Sequence, residues 1–128
     1  MRPSLTLALV VGAALAAAAA TYTPGIVVVD GDTVDHAWWR WRIEGWDTPE
    51  IRQARCPEER ALGIRARDRL RSLTAGPGVA ISGRWHLDRY GRRIGRLRLP
   101  DGRDAGAVLA AEGLARPYDG AARSGWCP

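Results

Sequence analysis

The segment between residues 26 and 46 restricts the fold most, because a meander of antiparallel strands is the simplest account of its pattern. A β-branched run at 26–29 is followed by the turn signal Asp30-Gly31 and by a second extended segment. From residue 39 to residue 43, apolar residues alternate with arginines, which is the period of a strand with one buried face. The sequence predicts three strands here, with the two tryptophans of the third strand facing the core and its Arg42 facing outward toward a groove.

A helical pattern follows from residue 57 to about residue 74, with acidic residues in its first turn and a Gly-Pro-Gly stop at 76–78. Residues 79–85 and 94–99 predict a fourth and a fifth strand, and residues 104–112 predict a short Ala-rich helix. The predicted order is therefore βββ-α-ββ-α. This mainly β fold with helices suits a five-stranded barrel of the oligonucleotide-binding (OB) type.

The amino terminus has the features of an export signal. A short positive start precedes an apolar run at 5–20, which ends in the small residues Ala18, Ala19 and Ala20. The run is shorter than the roughly 20 residues that a membrane-spanning helix needs. We interpret residues 1–20 as a secretory signal peptide and residues 21–128 as the folded domain, which predicts a secreted or periplasmic protein. The alternative is an uncleaved anchor, in which case the protein would remain attached to the membrane.

The chain has two cysteines, Cys56 and Cys127, and an exported protein is expected to pair them. The bridge would close a loop of about 72 residues, which the chain-entropy model values at roughly 4 kcal/mol. Two free thiols or a metal pair are weaker alternatives, because two distant cysteines and only two histidines make a poor zinc site.

All the positive charge comes from arginine. The chain has 19 arginines, no lysine and a net charge of +5, and this excess favours a polyanionic partner. A genome-wide preference for arginine explains the absence of lysine, but it does not explain the positions of particular arginines.

Three short strings carry groups with chemical potential: Asp30-Gly-Asp-Thr33, the segment from Arg42 to Glu50, and Asp88-Arg-Tyr-Gly-Arg92. Together they supply two carboxylates for a metal ion, a third carboxylate able to act on water, and two arginines able to hold a phosphate. Each string also has an ordinary interpretation, as a hairpin turn, a helix entrance or a solvated surface. Their order and spacing favour hydrolysis of a phosphodiester.

With these strings, the chain resembles the thermonuclease (staphylococcal nuclease-like) family from about Ile26 to Tyr118. The resemblance implies an OB-type barrel and Ca²⁺-dependent hydrolysis of DNA and RNA to products with 3′-phosphate ends. It also implies that Asp32 and Asp47 bind the Ca²⁺ ion, that Thr48 offers it a backbone carbonyl, and that Glu50 acts on the attacking water.

The same resemblance assigns the cationic and aromatic positions of the substrate site. Arg42 and Arg92 match the two phosphate-binding arginines, which are catalytic because negative charge develops on the phosphorus oxygens during hydrolysis. Arg89 and Tyr90 match positions near the terminal phosphate and base of the nucleotide. Tyr118 matches a second aromatic of that site, with packing in the core as an equal alternative.

The sequence departs from the family pattern in three places. The hairpin at 34–39 lacks the expected glycine, Trp46 is bulky enough to narrow the metal pocket, and a short tail ending at Pro128 replaces a terminal helix. The alternative function is a non-catalytic OB-type module that binds nucleic acid. We expect a monomer, with DNA and RNA as substrates and no stable protein partner.

Overall fold

The computed structural model describes residues 25–128, so the predicted signal peptide lies outside the described residues. The strands are β1 (Val27–Asp30), β2 (Thr33–His36), β3 (Trp39–Ile43), β4 (Trp46–Asp47), β5 (Ala80–Leu87), β6 (Arg93–Arg98) and β7 (Arg116–Pro117). The helices are α1 (Pro57–Thr74) and α2 (Ala105–Ala111). Within the described part of the chain, neither helix is long and apolar enough to cross a membrane.

Five strands form one sheet in the order β1-β2-β3-β6-β5. The first three are paired antiparallel, which confirms the predicted meander. β3 runs parallel to β6, with Trp41 opposite Arg93, and β6 pairs antiparallel with β5. The remaining ladder joins the short strands β4 and β7.

The predicted fold class is confirmed in its coarse form, as a mainly β domain with two helices. Among the described strands no ladder joins β1 to β5, so a closed barrel is not shown. The strands β4 and β7 are additional to the predicted βββ-α-ββ-α order. Each has only two residues, which is too short for a periodic pattern to reveal.

The β2–β3 hairpin corrects one prediction about the core. Trp41 is buried, but Trp39 is 39% exposed, so the two tryptophans do not share the core. Trp39 lies beside the two-residue turn, where the sheet ends, and Arg93 stacks on its ring at 4.0 Å from the centroid. The turn residues Ala37 and Trp38 have φ of 48° and 71° without being glycine.

Helix α1 begins and ends as its sequence predicts. Cys56 caps it, since its sulfur accepts a hydrogen bond from the Glu59 amide, and Pro57 occupies the first turn. Its buried face packs on β1 and contributes Ala66 and Leu70 to the core. Burying a leucine side chain stabilises the fold by about 1.5–3 kcal/mol, so this face fixes the position of the helix.

Candidate active site

A buried ion-pair cluster connects the β1–β2 turn with β3 and the residue that follows β4. The side chain of Arg42 is 9% exposed, and its Nη1 lies 3.4 Å from Asp32 Oδ2. Asp32 Oδ2 also accepts a hydrogen bond of 3.2 Å from the Thr48 amide, and Arg42 Nη1 donates to the Ile43 carbonyl at 2.7 Å. These bonds fix a carboxylate and a guanidinium that are distant in the sequence.

The β4–β7 ladder places Asp47 opposite Arg116, and Tyr118 donates its amide hydrogen to the Gly45 carbonyl at 2.9 Å. The Asp47 carboxylate is buried, with Oδ1 3.9 Å from Nη2 of Arg42. This oxygen and that nitrogen are both buried without a hydrogen bond. A buried carboxylate oxygen without a donor is costly unless a cation neutralises it.

Glu50 lies at the mouth of this cluster, with 35% of its side chain exposed. A hydrogen bond to α1 positions its backbone, because the Glu50 amide donates to the buried Glu59 carboxylate at 3.4 Å. Burial is the main factor that raises the pKa of Glu50, and the negative charge of Asp32 is the next. A raised pKa suits a group that takes a proton from water near neutral pH.

The loop at residues 88–92 holds the remaining predicted substrate residues as a unit. Asp88 accepts hydrogen bonds from the amides of Tyr90 and Arg92, both at 2.9 Å, and from Arg92 Nε at 2.8 Å. The Arg92 and Arg89 guanidiniums lie 5.3 Å and 4.8 Å from the centroid of the Tyr90 ring. Arg92 thus contacts its own loop rather than the Asp32 and Asp47 carboxylates.

The carboxy-terminal tail enters the site, which the sequence did not reveal. A disulfide joins Cys127 to Cys56 at the start of α1, as predicted. Trp126 Nε1 donates to Asp47 Oδ2 at 3.2 Å, and Arg123 Nη1 donates to Glu50 Oε1 at 3.0 Å. The contact between Arg123 and Glu50 spans 73 residues of sequence, so no local pattern could have predicted it.

Two further side chains differ from their predicted surroundings. Arg42 was predicted to face outward, but it is buried because two carboxylates take up its charge inside the fold. Trp46 packs against the core, and its ring lies where a Cβ on Gly106 of α2 would be. The tryptophan that contacts a site carboxylate is Trp126.

A model of the family described as "Staphylococcal nuclease homologue" matches residues 40–125, which is more than half of the chain. The chain belongs to the staphylococcal nuclease family. The predicted family is therefore confirmed.

Three relatives illustrate the similarity. Proteins named "Uncharacterized endonuclease" in Escherichia coli O157:H7 and in Escherichia coli are each 31% identical over 96 residues, covering 72% of this chain and 58% of theirs. "Succinoglycan biosynthesis protein ExoI" of Rhizobium meliloti (strain 1021) is 32% identical over 124 residues, covering 85% of this chain and 63% of its own length. The chain thus spans less than two thirds of the length of these relatives.

The candidate site contains a donor set that suits a hard divalent cation. The carboxylates of Asp32 and Asp47 both form ion pairs with Arg42, and Asp47 Oδ1 has no hydrogen bond. Burial first, and then the neighbouring Asp32 carboxylate, raise the pKa of Asp30 to about 6, so at neutral pH Asp30 adds a negative charge beside Asp32. Oxygen ligands with excess negative charge are what Ca²⁺ prefers.

Proposed function

We propose that this protein is an exported, Ca²⁺-dependent nuclease that hydrolyses phosphodiester bonds of DNA and RNA and leaves 3′-phosphate ends. Family membership supports nuclease chemistry, and the names of two relatives support an endonuclease. The observation that carries the proposal is the buried Asp32–Arg42–Asp47 cluster with Glu50 at its mouth.

Asp32 and Asp47 would hold the Ca²⁺ ion, together with the backbone carbonyl of Thr48. When bound, the ion would neutralise the carboxylates and draw electron density from a phosphate oxygen. The Oδ1 of Asp47 favours this assignment. It is buried without a hydrogen bond and has only ion pairs, at 3.4 Å to Arg123 and 3.9 Å to Arg42, so a bound cation would offset the cost of burying its charge.

Glu50 would accept a proton from the attacking water, or orient that water toward phosphorus. Its partial burial and raised pKa both favour this role, since a weakly solvated carboxylate takes a proton more readily. Arg42 is held rigidly by Asp32 and the Ile43 carbonyl, so it can stabilise developing negative charge without reorganising.

Arg92 and the neighbouring Arg89 and Tyr90 would complete the substrate surface from the 88–92 loop. The Asp88 contacts order this loop, and Tyr90 is 67% exposed and therefore open to stacking with a base. Tyr118 lies 5.7 Å from the Arg42 guanidinium, which favours a place beside the substrate over one in the core.

The experiment that tests this function is cleavage of single-stranded DNA by the purified protein with millimolar Ca²⁺ and with a chelator. We expect cleavage only with Ca²⁺, with 3′-phosphate products. Glu50→Gln should lower turnover at least a hundredfold, because general acid–base catalysis contributes about 10²–10⁴. The matched control is Glu58→Gln, at an exposed acid in the first turn of α1, which should keep full turnover.

Two results would count against the proposal. Equal cleavage in chelator would exclude dependence on Ca²⁺, and full turnover of Glu50→Gln would exclude the assigned role. A folded protein that binds DNA but never cuts it would favour the non-catalytic OB-type module.

Export is part of the proposal, and so is a monomeric protein in the periplasm or the medium. The Cys56–Cys127 disulfide supports an oxidising compartment, since cytosolic thiols are kept reduced. Mass spectrometry of the exported protein would test it, with a new amino terminus near Thr21 as the expected result.

A further inference from the structure

The tail that follows β7 carries an arginine into the centre of the site. Arg123 Nη1 lies 3.0 Å from Glu50 Oε1, and its Nε lies 3.4 Å from Asp47 Oδ1. Arg123 therefore bridges the carboxylate assigned to water and one of those assigned to the cation. Its side chain is 44% exposed, so the guanidinium faces both the carboxylates and the solvent from which a substrate would enter.

Several contacts hold the tail in this place. The disulfide fixes Cys127 to the start of α1, and Trp126 donates to Asp47 Oδ2. Arg116 of β7 stacks on the Trp126 ring at 3.8 Å and donates to the Gly125 carbonyl at 2.7 Å. Arg123 itself lies 5.4 Å from the centroid of the Tyr118 ring. These contacts on both sides of Arg123 make its position a property of the fold rather than of a free end.

The charges of the site show why Arg123 would change partners. Asp32, Asp47 and Glu50 carry three negative charges at neutral pH and the adjacent Asp30 adds a fourth, whereas Arg42 and Arg123 supply two positive ones. Two negative charges are left for a divalent cation to neutralise. With that cation present the carboxylates hold Arg123 less strongly, so its guanidinium is available to a phosphodiester.

We propose that Arg123 is a third phosphate-binding arginine of the site, which leaves its contacts with Asp47 and Glu50 and turns to the substrate phosphate when Ca²⁺ binds the carboxylates. This inference rests on the proposed nuclease function. The substrate phosphate is the expected new partner because a guanidinium binds phosphate through a planar fork of donors. When Arg123 leaves its contact with Glu50, the Glu50 carboxylate is also free to act on water.

The role predicts opposite effects on two ligands. A positive charge beside the carboxylates competes with Ca²⁺, whereas the same charge attracts phosphate. Arg123→Gln should therefore bind Ca²⁺ about tenfold more tightly and raise the KM for single-stranded DNA about tenfold. A residue with a purely structural role would weaken both.

The experiment is calorimetric titration of the full, oxidised protein with Ca²⁺ alone, followed by steady-state cleavage of single-stranded DNA at saturating Ca²⁺. Arg123→Lys keeps the charge but loses the fork, so its Ca²⁺ affinity should stay near that of the wild type while KM rises. The matched control is Arg103→Gln, which removes the same charge from the ion pair with Asp101. It should change neither quantity.

The outcomes distinguish a failure of this inference from a failure of the proposed nuclease function. If the wild type binds Ca²⁺ and cleaves DNA, but Arg123→Gln leaves either the Ca²⁺ affinity or KM unchanged, the exchange of partners is wrong and the nuclease function stands. If the wild type neither binds Ca²⁺ nor cleaves DNA, both proposals fail. Near-UV circular dichroism reports whether Arg123→Gln is folded, and Arg123→Lys carries the test if it is not.

Discussion

At the scale of single residues, the position of Glu50 depends on a glycine in the helix beneath it. A Cβ on Gly63 would lie 2.7 Å from the carbonyl oxygens of both Pro49 and Glu50. These are backbone atoms, and Pro49 is among the largest fully buried side chains, so the loop has little room to move away. The close approach of α1 to this loop is therefore a requirement of the site.

Gly63→Ala tests this requirement. Alanine is favoured over glycine inside a helix by about 1 kcal/mol, but overpacking costs about 1–3 kcal/mol, so the clash should decide the sign. We expect a lower free energy of unfolding in denaturant titration and a lower turnover, because Glu50 is displaced. Gly76→Ala is the control, since a Cβ there meets nothing within 4 Å. A Gly63→Ala variant more stable than the wild type would contradict the argument.

Asp30 gives a prediction about pH. Its pKa is raised from 3.8 to about 6 by burial and by Asp32, so the folded protein holds this proton more tightly than the unfolded chain does. The contribution of Asp30 to stability therefore falls as pH rises from about 4 to about 6. In chelator at pH 7, Asp30→Asn should raise the free energy of unfolding by about 1–3 kcal/mol, and at pH 4 the gain should nearly vanish.

Asp101→Asn is the matched control for that experiment and should act with the opposite sign. Hydrogen bonds from Arg103 lower the pKa of Asp101, so its carboxylate stabilises the folded state at neutral pH. The measurement is the free energy of unfolding of the wild type, Asp30→Asn and Asp101→Asn, taken from denaturant curves at pH 4 and pH 7. An Asp30→Asn gain that is the same at pH 4 and pH 7 would show that titration is not its cause.

At the scale of elements, the sequence predicts the helices and strands that are long enough to show a periodic pattern of apolar residues. The apolar stripe, the acidic first turn and the Gly-Pro-Gly stop together predict α1 at Pro57 to about Thr74, where the structure has it. β4, β7 and the tail are set by contacts between distant residues, such as Asp47 with Arg116 and Glu50 with Arg123. Asp32, Arg42 and Asp47 were named from their strings and lie together in the structure. The burial of Arg42 and the entry of the tail with Arg123 depend on tertiary packing, which the strings do not show.

The disulfide is the element-scale feature with a direct energetic test. The bridge spans a sequence separation of 71 residues, for which the chain-entropy model gives about 4 kcal/mol. Replacing both Cys56 and Cys127 by serine should lower the free energy of unfolding by about that amount. Serine is itself a good helix cap, so the change at position 56 isolates the tether from the cap of α1. The reduced wild type should unfold at the same denaturant concentration as the double variant, and a wild-type midpoint in that variant would show that the tail stays in place without the bridge.

At the scale of the whole molecule, a positively charged chain has a site rich in carboxylates. The net charge is +5, yet the carboxylates of the site, Asp32, Asp47 and Glu50, are gathered with Arg42 and Arg123. Arg89 of the 88–92 loop is exposed, and its guanidinium donates to the Tyr90 hydroxyl rather than to these carboxylates. Under the proposed function, the arginine excess would attract a polyanion, and the carboxylates of the site would admit it once a cation is bound.

Attraction of a polyanion by the arginines predicts that its binding weakens as the salt concentration rises. Each phosphate neutralised on a single strand contributes about −0.7 to the slope of log affinity against log salt concentration. With about four such contacts, the affinity of the protein for a short single-stranded DNA in chelator should fall at least tenfold between about 50 and 200 mM NaCl.

Two variants test whether the 88–92 loop supplies one of these contacts. Arg89→Gln should reduce the magnitude of the slope by about 0.7. Arg69→Gln, whose ion-pair partner is Glu112, should leave the slope unchanged. Fluorescence anisotropy at several salt concentrations measures both slopes. Equal slopes for the two variants would mean that the arginine excess reflects composition alone, and that the 88–92 loop contributes no phosphate contact.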